Sequence, residues 1–114
     1  MSFQTDTSIE SEASKLLLEY GFPVELRGYE YLRKAIVLAY NSPELTEYVT
    51  KALFPRVARL CNSSYSSVAR GCRHVIEYTL QKGALDKLLD GYLNGASPSS
   101  ALVISELAKR LHDK

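Results

Sequence analysis

Apolar residues return along this chain every three or four positions, and nowhere do they alternate over a useful length. Ala13, Leu16, Leu17 and Tyr20 make one i, i+3, i+4, i+7 stripe, which Gly21 and Pro23 stop. The segment from Phe22 to Gly28 then reads as an ordered loop punctuated by Pro23 and Gly28. Leu32, Ala35, Ile36 and Ala39 form the next stripe, on a helix predicted from about Tyr29 to Tyr40. Ser42-Pro43-Glu44 has the order of an N-cap, a first helical position and an acid suited to the helix dipole. Leu45, Val49, Ala52 and Leu53 carry that helix to Phe54, where Pro55 restarts the chain. Lys82-Gly83 ends a later helix. Leu85, Leu88, Leu89 and Tyr92 predict another, and Asn94 to Ser99 is a break before a last stripe of Ile104, Leu107, Ala108 and Leu111. The pattern therefore predicts an all-α fold, a single domain over 1–114 of about six to seven helices, with residues 1–10 as a flexible lead-in.

The middle of the chain, Phe54 to Gln81, has the form of a short helix, a polar turn and a longer second helix. Ser63 and Ser64 stand where a hydroxyl can cap the second helix. Val68, Cys72, Val75, Ile76 and Thr79 make its buried stripe, while Ser66, Arg70, Arg73, Glu77 and Gln81 fall opposite, flanked by Ala69 and His74. A helix held along one side, with serines and two arginines near its start, suits the recognition helix of a helix-turn-helix, which puts its N-terminal residues on base edges in the major groove. Arginine can grip guanine O6 and N7 with two hydrogen bonds. The plainer reading is a solvated amphipathic helix. Tyr65, in the turn, is placed to touch sugar-phosphate.

Charge sharpens this picture. Formal net charge is only +1, but Lys51, Arg56, Arg59, Arg70, Arg73 and Lys82 face Glu77 alone between positions 51 and 82, so the acidic excess lies elsewhere. A locally basic segment on a near-neutral chain is the electrostatic footprint of a DNA reader. Composition, 46% apolar and 24% charged, is that of an ordinary folded domain and argues against general disorder. No apolar run approaches bilayer length, and the N-terminus lacks the basic start and apolar centre of a secretory signal. A cytoplasmic protein without membrane partners is expected. Cys61 and Cys72 read as small core residues, and with two distant histidines, His74 and His112, there is no metal-ligand spacing. No phosphate loop, serine elbow or carboxylate pair on an apolar stripe is present, so no catalytic residue and no cofactor is expected.

The run YGFPVELRGYEYLRKAIVLAYNSPELTEYVTKALFPRVARLCNSSYSSVARGCRHVIEYTLQKG resembles the C-terminal effector domain of the stage-zero sporulation response regulator of spore-forming bacteria. The likeness is carried by Arg27-Gly28-Tyr29-Glu30-Tyr31-Leu32-Arg33-Lys34-Ala35-Ile36 with Tyr40-Asn41, by Leu53-Phe54-Pro55-Arg56-Val57-Ala58, and by Ser66, Val68, Arg70, Arg73, His74, Ile76 and Glu77; it extends from about Ser14 to about Leu111. It implies an all-helical effector that binds double-stranded DNA at a short promoter box, with copies head-to-tail on adjacent boxes. Arg70 and Arg73 would read bases and phosphate. His74 would lie against the backbone, and Ser64 and Ser66 would contact phosphate or base edges. Apart from the resemblance, Arg56 and Lys82 of the basic segment are expected to neutralise phosphates if the chain reads DNA.

Two positions depart from the family pattern on the DNA-facing side: Ala69 replaces an acid and Ser67 a basic or polar residue. Loss of an acid that accepts from cytosine shifts or relaxes specificity there. The family's phosphoacceptor receiver domain has no room in 114 residues beginning at Met1, so a receiver-less stand-alone paralogue is expected in preference to an excised domain. The competing functional class is a protein-interaction module that acts on a full-length regulator or RNA polymerase and binds DNA weakly.

Overall fold

The computed structural model describes residues 2–89 and 98–113, with side chains from residue 8 onward. Five α-helices run in the order α1 (Ser2–Glu19), α2 (Arg27–Asn41), α3 (Phe54–Leu60), α4 (Tyr65–Gln81) and α5 (Ser100–His112), and no strand occurs among the described residues. α1 takes in the acidic, serine-rich residues at the start of the chain; its firm anchorage begins at Ala13, with Ile9 packed at the margin. α2 is the hub, in contact with each of the other four helices and most extensively with α4 and α5.

The periodic stripes are the core. Ala13, Leu16 and Leu17 from α1, Leu32, Ala35, Ile36 and Ala39 from α2, Val68, Cys72, Val75 and Ile76 from α4, and Ile104, Leu107, Ala108 and Leu111 from α5 are all buried together. Full burial of a Leu, Ile or Val side chain contributes roughly 1.5–3 kcal/mol, so the large residues of these stripes supply the main driving force. Thr79, the polar member of its stripe, is satisfied within α4, its hydroxyl donating to the Val75 carbonyl at 2.8 Å.

Four local expectations are corrected. The segment predicted as a helix from Ser42 to Phe54 is a 3-10 turn over Pro43–Glu47 and a π turn over Val49–Leu53 that leads directly into α3. Ser42 precedes the first but makes no side-chain capping bond. Leu45, Val49 and Leu53 are nevertheless buried, because 3-10 and π turns space apolar residues closely enough to mimic an α stripe. Gly28 is not loop but the second residue of α2, and it is buried. Beyond α4, Gly83 takes a positive φ of 75°, and residues 82–89 form turns rather than a helix, although Leu85, Leu88 and Leu89 are buried as their spacing demands. Tyr92 lies outside the described residues. The count is therefore five α-helices and two short helical turns among the described residues, against the six to seven helices expected.

Candidate nucleic-acid interface

α3 and α4 form the helix-turn-helix. α3 closes at Cys61, and Asn62 turns the chain in the left-handed region at φ 53°. Asparagine tolerates that conformation better than most residues. Of the two candidate serines, Ser64 is the cap: its Oγ accepts from the Ser67 N–H at 3.1 Å and meets the Ser67 hydroxyl at 3.0 Å. Ser63 does something else, its hydroxyl sharing a 2.9 Å hydrogen bond with the Tyr31 hydroxyl of α2.

With Val68, Cys72, Val75, Ile76 and Thr79 buried, the opposite side of α4 is solvent-facing. At 3.6 residues per turn, Ser66, Ser67, Arg70, Arg73 and His74 share an arc of roughly 120° on that side, and each is exposed. Ala69 is half-buried at the edge of the arc. Among the described residues, no ion pair engages Arg70, Arg73, Arg56 or Arg59, whereas Arg33 pairs with Glu10 at 3.2 Å and with Glu30, and Lys34 with Glu10 at 3.5 Å. Arg33 and Lys34 of α2 are thus neutralised within the fold. The arginines of the helix-turn-helix are left for an external anion.

Tyr65 is the first residue of α4 rather than part of the turn; it is 44% exposed, with its ring tilted against Phe54 at 6.4 Å. It borders a cleft of about 450 Å³ with Arg73 on one side and Ser99 and Ser100 on another. Ser99 caps α5 by accepting from the Leu102 N–H at 3.1 Å. The N-terminal end of α5 therefore adds its positive dipole end to the Arg73 guanidinium. Arg56 is not gathered into this arc. It borders a separate shallow groove with Arg59, Leu60 and Leu38. Lys82 caps the far end of α4, roughly 18 Å along the axis from Arg70 at 1.5 Å per residue, its ammonium 4.6 Å from the centre of the Tyr78 ring.

The two thiols are chemically quiet. Burial pushes the Cys72 thiol up to about 12, with proximity to Cys61 adding to the effect. Cys61, half-buried at the end of α3, is raised by burial first and by Glu30 second, opposed by Lys34 and Arg33. Arg59 was legible only in the charge count, and its exposure beside Arg56 adds it to the basic surface. The support of the arc from behind, by Tyr31 and Gly28, left no sign in the periodicity. A family model described as sporulation initiation factor Spo0A C terminal matches residues 13–111 of this helical frame.

Proposed function

The chain belongs to the Spo0A C-terminal family, and we propose on that footing that it is a sequence-specific DNA-binding regulator of transcription that sets α4 in the major groove. The observation that carries the reading is the capped, exposed arc of α4 with two arginines that have no ion pair among the described residues. Arg70 and Arg73 meet base edges and phosphate. Ser64, Tyr65, Ser66 and Ser67 at the helix start and His74 on the same arc contact phosphate or base edges, and Ala69 is the permissive position at its rim. Arg56 and Lys82, lying away from the arc, neutralise phosphates of the flanking backbone. Copies bind head-to-tail on adjacent boxes in the cytoplasm, where RNA polymerase is the further partner.

Selection of duplexes from a random pool tests this reading. A single enriched box, lost when Arg70 and Arg73 are both changed to alanine, is expected; a library that stays flat with wild-type protein contradicts it.

One observation favours a protein contact as a second reading. Leu60 is 60% exposed beside Leu38, Arg56 and Arg59. A groove of this make-up suits an acidic, partly apolar partner surface on RNA polymerase or on a full-length regulator. Capture of polymerase that survives nuclease treatment and fails with Leu60→Asp supports that contact; capture abolished by nuclease refutes it.

A further inference from the structure

The arc of α4 is only as well aimed as the helix behind it is fixed, and the fixing is concentrated at two points on α2. The first is a backbone crossing. Gly28 and Gly71 meet so closely that a Cβ built on Gly28 would lie 2.0 Å from the Gly71 carbonyl oxygen, and one on Gly71 would lie 3.4 Å from the Gly28 Cα. Gly71 follows Arg70 directly, so this pivot lies beneath the first reading arginine. The second point is Tyr31, nearly one turn further along α2. Its ring presses on the same helix, since a Cβ on Gly71 would come within 2.8 Å of Tyr31 Cδ2. Its hydroxyl reaches past the pivot to the turn, where it shares the 2.9 Å bond with Ser63 Oγ. Ser63 is joined directly to Ser64, whose Oγ holds the Ser67 N–H.

A pivot alone leaves a helix free to rock about the contact. A second tether displaced from it removes that freedom. Tyr31 is only 4% exposed and its bond to the half-buried Ser63 is part-buried, so water has restricted access to it. We propose that Tyr31 is a positioning residue for DNA recognition, which through Ser63 sets the tilt of α4 and so the alignment of Arg70 and Arg73 with base edges. This rests on the DNA-reading function proposed above. Sites that demand directional contacts depend on supporting residues of this kind, whereas attraction to the phosphate backbone tolerates small misalignment. Loss of the tether should therefore weaken specific binding and leave nonspecific binding in place.

The same helix provides an internal control. The Tyr29 hydroxyl, also on α2 and also on a buried residue, donates to the Ser14 carbonyl of α1 at 3.5 Å, away from the recognition helix. Tyr29→Phe removes a comparable group with no route to the turn.

The test is fluorescence anisotropy of wild type, Tyr31→Phe, Ser63→Ala, the double variant and Tyr29→Phe. The probes are the duplex that wild type enriches from a random pool and a scrambled duplex. Tyr31→Phe and Ser63→Ala should each weaken specific binding by about fivefold, the scale of one hydrogen bond. The double variant should lose no more than either single, because both remove one bond. Scrambled-duplex binding and its salt slope should be unchanged in all. Tyr29→Phe should keep the wild-type ratio of specific to nonspecific affinity even if it melts lower. The proposal is overturned if both single variants keep the wild-type ratio, if their losses multiply in the double variant, or if Tyr29→Phe loses the same ratio. Ser63→Ala acts from the solvent side of the bond and carries the test should Tyr31→Phe fold poorly. A wild type that enriches no duplex, or that binds its own enriched duplex no better than the scrambled one, overturns the DNA-reading function itself and this inference with it.

Discussion

Arg70 and Arg73 hold no internal partner among the described residues, so replacing them removes little that the fold uses. Arg70→Ala and Arg73→Ala should each cost about 1–3 kcal/mol of specific binding if bidentate to guanine, with the melting curve unchanged. Arg56→Ala and Lys82→Ala should behave differently. Lying off the arc, they should weaken binding to all duplexes alike and flatten the dependence of log affinity on log salt by about 1. A titration series at several salt concentrations separates the two behaviours. Cys72 gives a pH prediction of definite sign. Its folded thiol keeps its proton up to about 12, whereas in the unfolded chain it loses that proton from about 8.5. The unfolded state therefore binds fewer protons across that window, and stability present below it is lost as pH rises. Urea melts should show a fall of up to about 1.4 kcal/mol per pH unit from this one group. The slope, rather than the absolute stability, should become shallower in Cys72→Ala.

Among the elements, the crossing of α2 and α4 makes the clearest demand. Alanine is a better helix former than glycine by about 1 kcal/mol, so propensity alone favours Gly28→Ala and Gly71→Ala. Packing opposes it. At Gly28 the added carbon meets a backbone oxygen at 2.0 Å, and at Gly71 it meets the ring of buried Tyr31 at 2.8 Å. Both variants should be destabilised, Gly28→Ala more severely because a backbone cannot swing aside as a ring can. A net loss of about 2 kcal/mol, or a melting midpoint roughly 10 °C lower, is expected for Gly28→Ala. Thermal melts that place Gly28→Ala at or above wild type would refute the crossing. This is also where the sequence misleads. Gly28 follows Pro23 within five residues and reads as loop punctuation, because a close approach to Gly71, more than forty residues away, leaves no local trace. The α4 cap was readable from serine chemistry alone, but the choice between Ser63 and Ser64 depended on Tyr31 reaching the turn. Ser64→Ala should cost about 1 kcal/mol of stability, measured by chemical denaturation.

Across the whole molecule, the stripes predicted by a 3.6-residue period are the stripes that pack. The hydrophobic effect acts on which residues are buried and is largely indifferent to the backbone that buries them. For that reason the same rule placed Leu45, Val49, Leu53, Leu85 and Leu88 correctly inside while missing the 3-10, π and turn geometry that holds them. The division of charge was likewise legible, and the fold gives it direction. Arg33 and Lys34 are consumed by Glu10 and Glu30, so a chain of net charge +1 still presents four arginines without an ion pair among the described residues, Arg56, Arg59, Arg70 and Arg73, on the helix-turn-helix. Periodicity already put Arg70 and Arg73 on one side of α4; what a one-dimensional reading could not supply was where Arg56 lies relative to them. Arg70 and Arg73 share one arc, Arg56 belongs to another groove, and Lys82 stands at the far end of α4. The most direct test of the central claim is anisotropy of the wild-type protein on its selected duplex and on a scrambled one, at two salt concentrations. A specificity ratio of about a thousand or more, persisting at the higher salt, is predicted for a sequence reader. Equal and salt-labile binding to both duplexes would contradict it.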